Sequence, residues 1–360
     1  MHILLVGRKH IAKSEDIIAS LEHLNHQVDF VLFPGFHYTQ TSDSYETSIG
    51  KIPYIRSRSR KTYYLKNLFR INTLLFSHFR KKRYDILLAI DWFEGCILLI
   101  YKYIFSRRSK LVFYSYDFYF FDKVFSSRFI INLIDRFVAK HADEVWNVND
   151  AIRHERDRQG ITIKNVKLVP LGIRRKALLW IPNDTRHFLF VGNLKKGHNL
   201  IRLTQAFSLL VRENPAFHLT IIGQGNQEEI LRNAIRSANI EDNVHMRGFS
   251  EEKAIIQEIQ AGKYAFGVAL YEKTREVACV DPGKIKDYLS WNLPILTTDT
   301  NSMAQEITRY RLGRVLASDD IETMIQAFRG VTTEEIQEAQ TNIRQYVSEH
   351  SFDALLKKAL

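Results

Sequence analysis

Residues 188–197 read Phe-Leu-Phe-Val-Gly-Asn-Leu-Lys-Lys-Gly, an apolar run that ends in glycine and leads into two lysines. A short apolar run bounded by a turn signal is typical of a buried strand. The residues from about 199 to 212 then follow the period of an amphipathic helix. A strand, a glycine turn and a helix in this order predict a βαβ unit and a parallel sheet.

The same alternation extends outward in both directions. Toward the carboxyl end we predict strands at 218–222, 244–246, 264–270 and 295–298, and helices at about 227–237 and 284–291. Toward the amino end we predict strands at 2–6, 27–33, 85–90, 110–114, 144–148 and 167–169, and a helix at 14–24. Two such series predict an α/β chain with two Rossmann-like, doubly wound domains facing a cleft. Ligands bind such sheets at the carboxyl ends of the strands.

The length of 360 residues also suits two domains, because single cores stop growing near roughly 250–300 residues. Residues 174–186 contain Pro182 and have the composition of a linker. We therefore assign the amino-terminal domain to residues 1–175 and the second domain to residues 183–335. We expect helices in residues 336–360 to pack back on either domain.

The composition excludes several classes of protein. Hydrophobic residues make up 45% of the chain, which is enough for large cores. The two cysteines, Cys96 and Cys279, indicate neither a disulfide framework nor a zinc site. The longest apolar stretch, 96–101, is far too short to span a bilayer, and the first residues do not form a signal peptide. These features favour a cytoplasmic protein without a spanning helix.

The basic residues are concentrated in one segment. Residues 51–83 hold eleven Lys or Arg and no Asp or Glu, which equals the net charge of +11 for the whole chain. Leucine and aromatic residues within 61–83 are expected to line one side of a helix: Leu65, Leu68, Phe69, Leu75, Phe76 and Phe79. A basic amphipathic helix is typical of an anchor at the membrane surface, although it can also be an ordinary solvated face.

Two strand ends and one helix in the second half carry residues suited to a phosphorylated ligand. Gly192, Asn193 and Lys196 follow one strand, and Gly223 and Gly225 follow the next. Lys284 and Asp287 share a helix face, where they are suited to a phosphate and a ribose. Each feature also has a simpler explanation, as a tight turn or a surface ion pair.

Taken together, these elements resemble the carboxyl-terminal half of GT-B glycosyltransferases, especially bacterial enzymes of lipopolysaccharide and exopolysaccharide synthesis. The similarity runs from residue 188 to about 316 and is looser in the first half. It rests on these stretches: 191–197, 219–225, 245–249 and 281–294 in the second half, and Gly7, Tyr116-Asp117 and 169–172 in the first.

The resemblance implies transfer of a sugar from a UDP- or GDP-sugar to a glycan or lipid-linked acceptor. It implies no metal and no cofactor, since the nucleotide sugar is a substrate. The donor-binding residues implied are Gly7, Gly192, Asn193, Lys196, Gly223, Gly225, Arg247, Phe249, Lys284 and Asp287. Asp117, beside Tyr116, is the first candidate for a catalytic base, ahead of Asp91 and Glu94.

The basic segment fits an acceptor presented at a lipid surface. We expect Arg80, Lys81, Lys82 and Arg83 to contact an anionic membrane or a lipid-linked acceptor. The protein would then associate peripherally with the inner face of the membrane. No nucleic-acid partner is expected, because no recognition helix or stacking platform is evident.

Departures from the family pattern leave alternatives open. Cys279 stands in place of the first of two glutamates, Asn193 in place of an arginine, and Asn292 in place of a glycine. The donor sugar and the stereochemistry of transfer therefore remain open. The other interpretations are a sugar-nucleotide epimerase, a non-catalytic GT-B partner subunit and a nucleic-acid-modifying sugar transferase.

Overall fold

The computed structural model describes the chain except residues 10–12, 36–43, 55–58, 122, 125, 164 and 177. Arg56 and Arg58 of the basic segment lie outside the described residues, as do the side chains of Arg60 and Lys61. The chain divides into two compact units. Unit 1 comprises Met1–Pro170 with Phe352–Leu360, and unit 2 comprises Leu171–Ser351.

Unit 1 is built on a sheet of eight described strands in the order β4-β3-β2-β1-β5-β6-β7-β8. The strands are β1 (His2–Lys9), β2 (Gln27–Pro34), β3 (Ser44–Thr47), β4 (Gly50–Pro53), β5 (Ile86–Ile90), β6 (Lys110–Ser115), β7 (Glu144–Asn147) and β8 (Val166–Leu168). The helices are α1 (Ser14–His23), α2 (Arg60–Leu74), α3 (Trp92–Phe105), α4 (Ser127–His141) and α5 (Asp150–Arg158). A π-helical turn, Leu75–Phe79, extends α2.

The predicted strands of unit 1 are confirmed within a few residues, whereas the antiparallel β3–β4 hairpin was not predicted. All five residues of β5 are buried. A strand covered on both faces reads as a continuous apolar run, which is why the sequence revealed it. The chain order reverses beside β1, which lies between β2 and β5. A ligand crevice is expected at such a switch point, at the carboxyl ends of β1 and β5.

Unit 2 holds a parallel sheet of six described strands in the order β11-β10-β9-β12-β13-β14. The strands are β9 (His187–Val191), β10 (His218–Ile222), β11 (Val244–Met246), β12 (Phe266–Ala269), β13 (Ile295–Thr298) and β14 (Gly313–Leu316). The helices are α6 (Leu200–Glu213), α7 (Glu228–Ala238), α8 (Glu252–Gln260), α9 (Arg275–Ala278), α10 (Gly283–Ser290), α11 (Met303–Tyr310), α12 (Ile321–Arg329) and α13 (Thr333–Glu349). Here the order reverses beside β9, between β10 and β12. The sequence predicted the first five of these strands, and β14 was missed.

The end of the chain contributes to both units. Helix α13 belongs to unit 2, and the last helix, α14 (Phe352–Ala359), belongs to unit 1. Asp353 accepts a hydrogen bond from Ser20 of α1 and lies 2.6 Å from Nδ1 of His23. The stretch expected to be a linker is packed into unit 2, where Trp180 is buried and donates its ring N–H to the carbonyl of Trp291 at 3.2 Å.

Across the described part of the chain, no helix is both long and apolar enough to cross a membrane.

Candidate functional site

The loops after β9 and β10 pack against each other through their glycines. Gly192 and Gly223 both have φ near +149°, a conformation that favours glycine. A Cβ added to Gly223 would lie 1.9 Å from the carbonyl oxygen of Gly192, and one on Gly225 would lie 2.2 Å from that of Leu194. These glycines therefore allow two backbone segments to touch at the switch point of unit 2.

Lys284, in the first turn of α10, reaches back to this loop. Its Cε would lie 2.8 Å from a Cβ on Gly192. Its Nζ is buried, lies 3.7 Å from the ring centroid of Phe190, and makes no hydrogen bond to any described residue. Burial, followed by the nearby charge of Lys195, lowers the pKa of Lys284 well below its ordinary value. An arriving anion would stabilise the charged form of this lysine.

The loop around Lys284 is electropositive. Lys195 and Lys196 are exposed on it. His198 is buried, with Nδ1 2.8 Å from the carbonyl oxygen of Asn193. Burial, followed by the charge of Lys284, lowers the pKa of His198 to about 3. The histidine is therefore neutral, and the positive charge of this region comes from lysines.

Lys196 points toward the start of α6. It lines an open pocket of about 390 Å³ together with Lys195, Arg202 and Glu272. Arg202 is itself paired with Asp319. The structure thus places the two predicted lysines differently, with Lys284 beneath the glycine loop and Lys196 in the more open pocket.

Tyr288 fixes the position of α10, and Asp287 lies beside it. The buried hydroxyl of Tyr288 accepts a hydrogen bond from the N–H of Val191 at 2.8 Å and donates to the carbonyl of Val268 at 3.1 Å. These contacts join α10 to β9 and β12. The carboxylate of Asp287 lies close enough to Tyr271 and Tyr288 to contribute to the raised pKa of each ring, behind the larger effect of burial.

The predicted base-binding residues lie after β11. Phe249 is 76% exposed, so its ring is available to a ligand. The guanidinium of Arg247 is paired with Glu258. The backbone after β11 is connected to the glycine loop after β10, because the N–H of Gly223 donates to the carbonyl of Gly248 at 2.6 Å.

Gly7 does not end its strand. Strand β1 continues to Lys9, and Gly7 lies opposite Leu32 in the parallel ladder. A Cβ on Gly7 would lie 2.7 Å from Oγ of Ser14, so the glycine allows α1 to pack closely against β1. The functional group near the end of this strand belongs to the next residue, Arg8.

Arg8 holds two carboxylates at the switch point of unit 1. Its Nη2 donates to Asp91 Oδ2 at 2.5 Å and its Nε to Glu94 Oε1 at 2.8 Å. The hydroxyl of Tyr119 donates to the same Asp91 oxygen at 3.2 Å. Asp91 has φ +75°, a strained conformation of the kind that persists at functional sites. We call these four residues the Arg8 cluster: Arg8, Asp91, Glu94 and Tyr119.

In the Arg8 cluster, Asp91 and Glu94 are buried, Arg8 and Tyr119 are half-buried, and one cation faces two carboxylates. Glu94 Oε2 has no hydrogen-bond partner among the residues described. Burial raises the pKa of Glu94; Arg8 acts in the opposite direction, and the charge of Asp91 raises it further. Arg8 and Tyr119 were missed by sequence reasoning. The available signal was a cation at the end of β1 and two carboxylates just after a buried strand.

Asp117 and Tyr116 follow β6. Asp117 is exposed, whereas Tyr116 is buried with its ring centroid 4.7 Å from that of Tyr114. The charge of Asp117 contributes to the raised pKa of Tyr119, after the larger effects of burial and Asp91. The structure therefore brings Asp117 close to the Arg8 cluster.

The basic segment is less uniform than predicted. Arg80, Lys81 and Arg83 are exposed, but Nζ of Lys82 lies 2.8 Å from both carboxylate oxygens of Asp29. Lys82 therefore compensates a largely buried charge inside unit 1. The expected single apolar side is also wrong: Leu75 and Phe79 are buried, whereas three other residues face solvent: Leu65, Phe69 and Phe76.

In the described residues, no group of three or more His, Cys, Asp or Glu side chains is arranged to hold a metal ion.

Comparison with known proteins gives concordant results. Residues 175–350 match the family model described as glycosyl transferases group 1. A poly(glycerol-phosphate) alpha-glucosyltransferase of Bacillus subtilis (strain 168) is 31% identical over 75 residues, which is 21% of this chain and 11% of that protein. The present chain thus matches only a small part of that relative's length.

Solved structures match the whole chain. Sucrose-phosphate synthase from Thermosynechococcus elongatus has a TM-score of 0.73 at 13% identity, covering 100% of this chain and 97% of that one. The Anabaena HepE protein in complex with UDP-glucose has a TM-score of 0.70 at 13% identity, covering 99% and 98%. At such identity the likeness shows the fold, and the predicted GT-B fold is confirmed.

Proposed function

We propose that the protein transfers a sugar from a UDP-sugar to an acceptor. The premise is that residues 175–350 match the group 1 glycosyltransferase family and that the chain has a GT-B fold. The observation that carries this proposal is Lys284, whose buried Nζ has no hydrogen-bond partner in the described structure. A buried cation without a counter-ion is costly unless a ligand supplies the negative charge. The diphosphate of a nucleotide sugar has that charge.

The chemistry needs positive charge where the leaving group forms. When the glycosidic bond to the donor breaks, the departing diphosphate gains negative charge, and Lys284 would neutralise it in a dry site. Lys196 would add charge from the loop before α6. Preorganised groups of this kind contribute about 2.7–4 kcal/mol each to transition-state stabilisation.

The remaining donor contacts follow from position. Asp287 would accept a hydrogen bond from a ribose hydroxyl, and the base would lie near Arg247 and Phe249. Uridine is preferred over guanosine, because a structural neighbour of high TM-score was solved with UDP-glucose.

Asp117 is the best candidate for a base that takes the acceptor's proton. It is exposed, and so can meet a substrate. Asp91 and Glu94 are less suited, because both carboxylates are buried and both are held by Arg8. If the reaction retains configuration, the leaving phosphate can take the proton, and Asp117 would then bind the acceptor instead.

A panel of nucleotides tests the donor assignment. A ligand that binds only the folded state raises the unfolding temperature by mass action. We expect UDP and UDP-sugars to raise it more than GDP, ADP and their sugars at equal concentration. Stabilisation by adenosine nucleotides alone, or by none of the panel, would contradict the proposal.

The acceptor is proposed to be lipid-linked and reached at an anionic membrane surface. Arg80, Lys81 and Arg83 are exposed beside Phe76, whose ring lies 4.4 Å from the guanidinium carbon of Arg80. Each basic residue near anionic lipid contributes about 1 kcal/mol. Peripheral binding to the cytoplasmic leaflet follows from this proposal.

Vesicle sedimentation tests the membrane assignment. Replacing Arg80, Lys81 and Arg83 together by Ser should weaken binding to anionic vesicles by about 100-fold, in line with the loss of three such contributions. The matched variant Lys82→Ser should keep vesicle binding but lower thermal stability, because it leaves Asp29 without its cation. Equal binding of the wild-type protein to neutral and anionic vesicles would rule out the electrostatic account.

A further inference from the structure

An open groove runs along the outer side of α2 in unit 1. It has a volume of about 360 Å³ and is lined by Tyr45, Leu65, Lys66, Phe69, Arg70 and Thr73. This volume is within the range of small-molecule sites, about 300–1,000 Å³. The groove is separate from the donor loops, which belong to unit 2.

The groove displays apolar side chains that the fold does not bury. Leu65 is 58% exposed and Phe69 is 68% exposed, one helical turn apart. The inward side of α2 is supplied by other residues, among them Tyr63 and Ile71. Isolated apolar side chains are common on protein surfaces and indicate no function. Exposed apolar side chains that lie together in a groove indicate a binding surface.

The apolar strip is bordered by cations. Lys66 and Arg70 are four positions apart and therefore lie on the same side of α2. Burial raises the pKa of Tyr45, which lines the same groove, and the charge of Arg70 acts in the opposite direction. The groove therefore suits a ligand that is apolar along its length and anionic at one point.

The helix places the start of the groove near the carboxyl edge of the sheet. The hydroxyl of Tyr63 donates to the carbonyl of Pro34, at the end of β2, at 2.7 Å. The ring of Tyr64 lies 5.1 Å from that of Trp92, which follows Asp91. From Leu65 the groove extends over two helical turns, roughly 12 Å. A chain lying in it would leave its head group toward the edge that carries the Arg8 cluster.

We propose that this groove binds the hydrocarbon chain of a lipid-phosphate acceptor, with Lys66 and Arg70 facing the phosphate. This inference rests on the proposed function, since it names the acceptor class for the same reaction. The concave shape favours one lipid chain over a flat bilayer contact. The basic border favours a phosphate-linked lipid over a neutral glycolipid.

The test compares farnesyl phosphate with farnesol, both titrated as monomers into the full chain by calorimetry. Farnesyl phosphate should bind about tenfold more tightly or better, because only it can use the cationic border. Phe69→Ser should weaken both ligands by about tenfold or more, through loss of apolar contact. Arg70→Gln should weaken farnesyl phosphate alone.

Phe137→Ser is the matched control, because Phe137 is 55% exposed on α4 and does not line the groove. It should leave both affinities unchanged, and a wild-type circular dichroism spectrum and unfolding temperature for every variant show that unit 1 is folded. The proposal is overturned if wild-type protein fails to bind farnesyl phosphate, if Phe69→Ser binds it as wild type does, or if Phe137→Ser loses as much affinity. A wild-type protein that binds UDP but not farnesyl phosphate would reject the groove and leave the proposed sugar transfer standing.

Discussion

Among single residues, the position of the Lys284 ammonium group matters most for the proposed donor site. Lys284 and Asp287 share one side of a helix, and this could be predicted from their spacing in the sequence. The contact of Lys284 with Phe190 could not, because the two residues are brought together only by the packing of α10 on β9. The lowered pKa of Lys284 results from burial in that packing, and no pattern in the neighbouring sequence indicates it.

Asp117 provides a prediction at this scale. Asp117→Asn should lower kcat by about 100-fold or more if the residue is the general base, as is typical of positioned proton acceptors. The affinity for UDP should stay the same, because the donor-binding residues belong to unit 2. Steady-state kinetics and a UDP titration measure the two quantities separately.

A near-normal kcat for Asp117→Asn would show that Asp117 is not the general base. Tyr116→Phe serves as the companion variant, since it keeps the buried ring and changes only the hydroxyl. We expect it to have a smaller effect on kcat than Asp117→Asn.

Ion pairs between residues distant in sequence could not be predicted from the sequence pattern either. The run Arg80 to Arg83 suggested four equivalent cations, but Lys82 is taken up by Asp29 of β2. Nothing in the sequence links these two positions. Arg8 was missed for the same reason, as its partners come from the segment after β5.

At the scale of elements, the glycine loops of unit 2 show how a short motif specifies packing. Gly-x-Gly at 223–225 was interpreted as room for a phosphate or sugar. In the structure, the space at both glycines is occupied by the backbone of the loop after β9. The motif thus allows two turns to touch, beneath the proposed donor site.

Gly223→Ala should destabilise unit 2 strongly and weaken UDP binding. The added methyl group would overlap the Gly192 carbonyl, and φ +149° is unfavourable for alanine. Thermal unfolding of two matched variants separates these causes. Gly50→Ala has positive φ but open space, and Gly283→Ala has neither strain nor contact.

We expect Gly50→Ala to lose about 1–3 kcal/mol, as is typical of backbone strain, and Gly283→Ala to be nearly neutral. Gly223→Ala should exceed both. Equal stability of the Gly223 and Gly283 variants would show that the loops can separate at little cost.

Helix α2 shows the limit of periodicity at this scale. The apolar residues of 61–83 were expected to form one stripe, but a π-helical turn at Leu75–Phe79 changes the phase of the later residues. Leu75 and Phe79 face the core, whereas Leu65 and Phe69, which precede the π turn, are exposed. The sequence does not show which of two adjacent apolar rows of the helix meets the core, and so the groove was not predicted.

At the scale of the whole molecule, the alternation of strands and helices was sufficient to predict two doubly wound sheets. It was sufficient because buried parallel strands are almost continuously apolar. The return of α14 to unit 1 was beyond such reasoning. An amphipathic helix shows that one side is buried but does not show against which unit, and here Asp353 and its contacts with α1 decide it.

We propose that unit 2 binds the diphosphate of a nucleotide sugar through Lys284. In the free protein, burial lowers the pKa of Lys284, and a bound anion would raise it again. Between those two pKa values, binding must therefore take up a proton. Affinity should accordingly fall as pH rises through that interval.

The most direct test is calorimetric titration of UDP in two buffers of different ionisation enthalpy, with wild type, Lys284→Met and the exposed-site control Lys253→Met. We predict proton uptake by wild type and control at a pH that lies between the free and the bound pKa of Lys284. Lys284→Met should show an affinity about tenfold lower or worse, as expected for loss of a charge-assisted contact, and no uptake. Unchanged affinity and unchanged proton uptake in a folded Lys284→Met variant would contradict the claim.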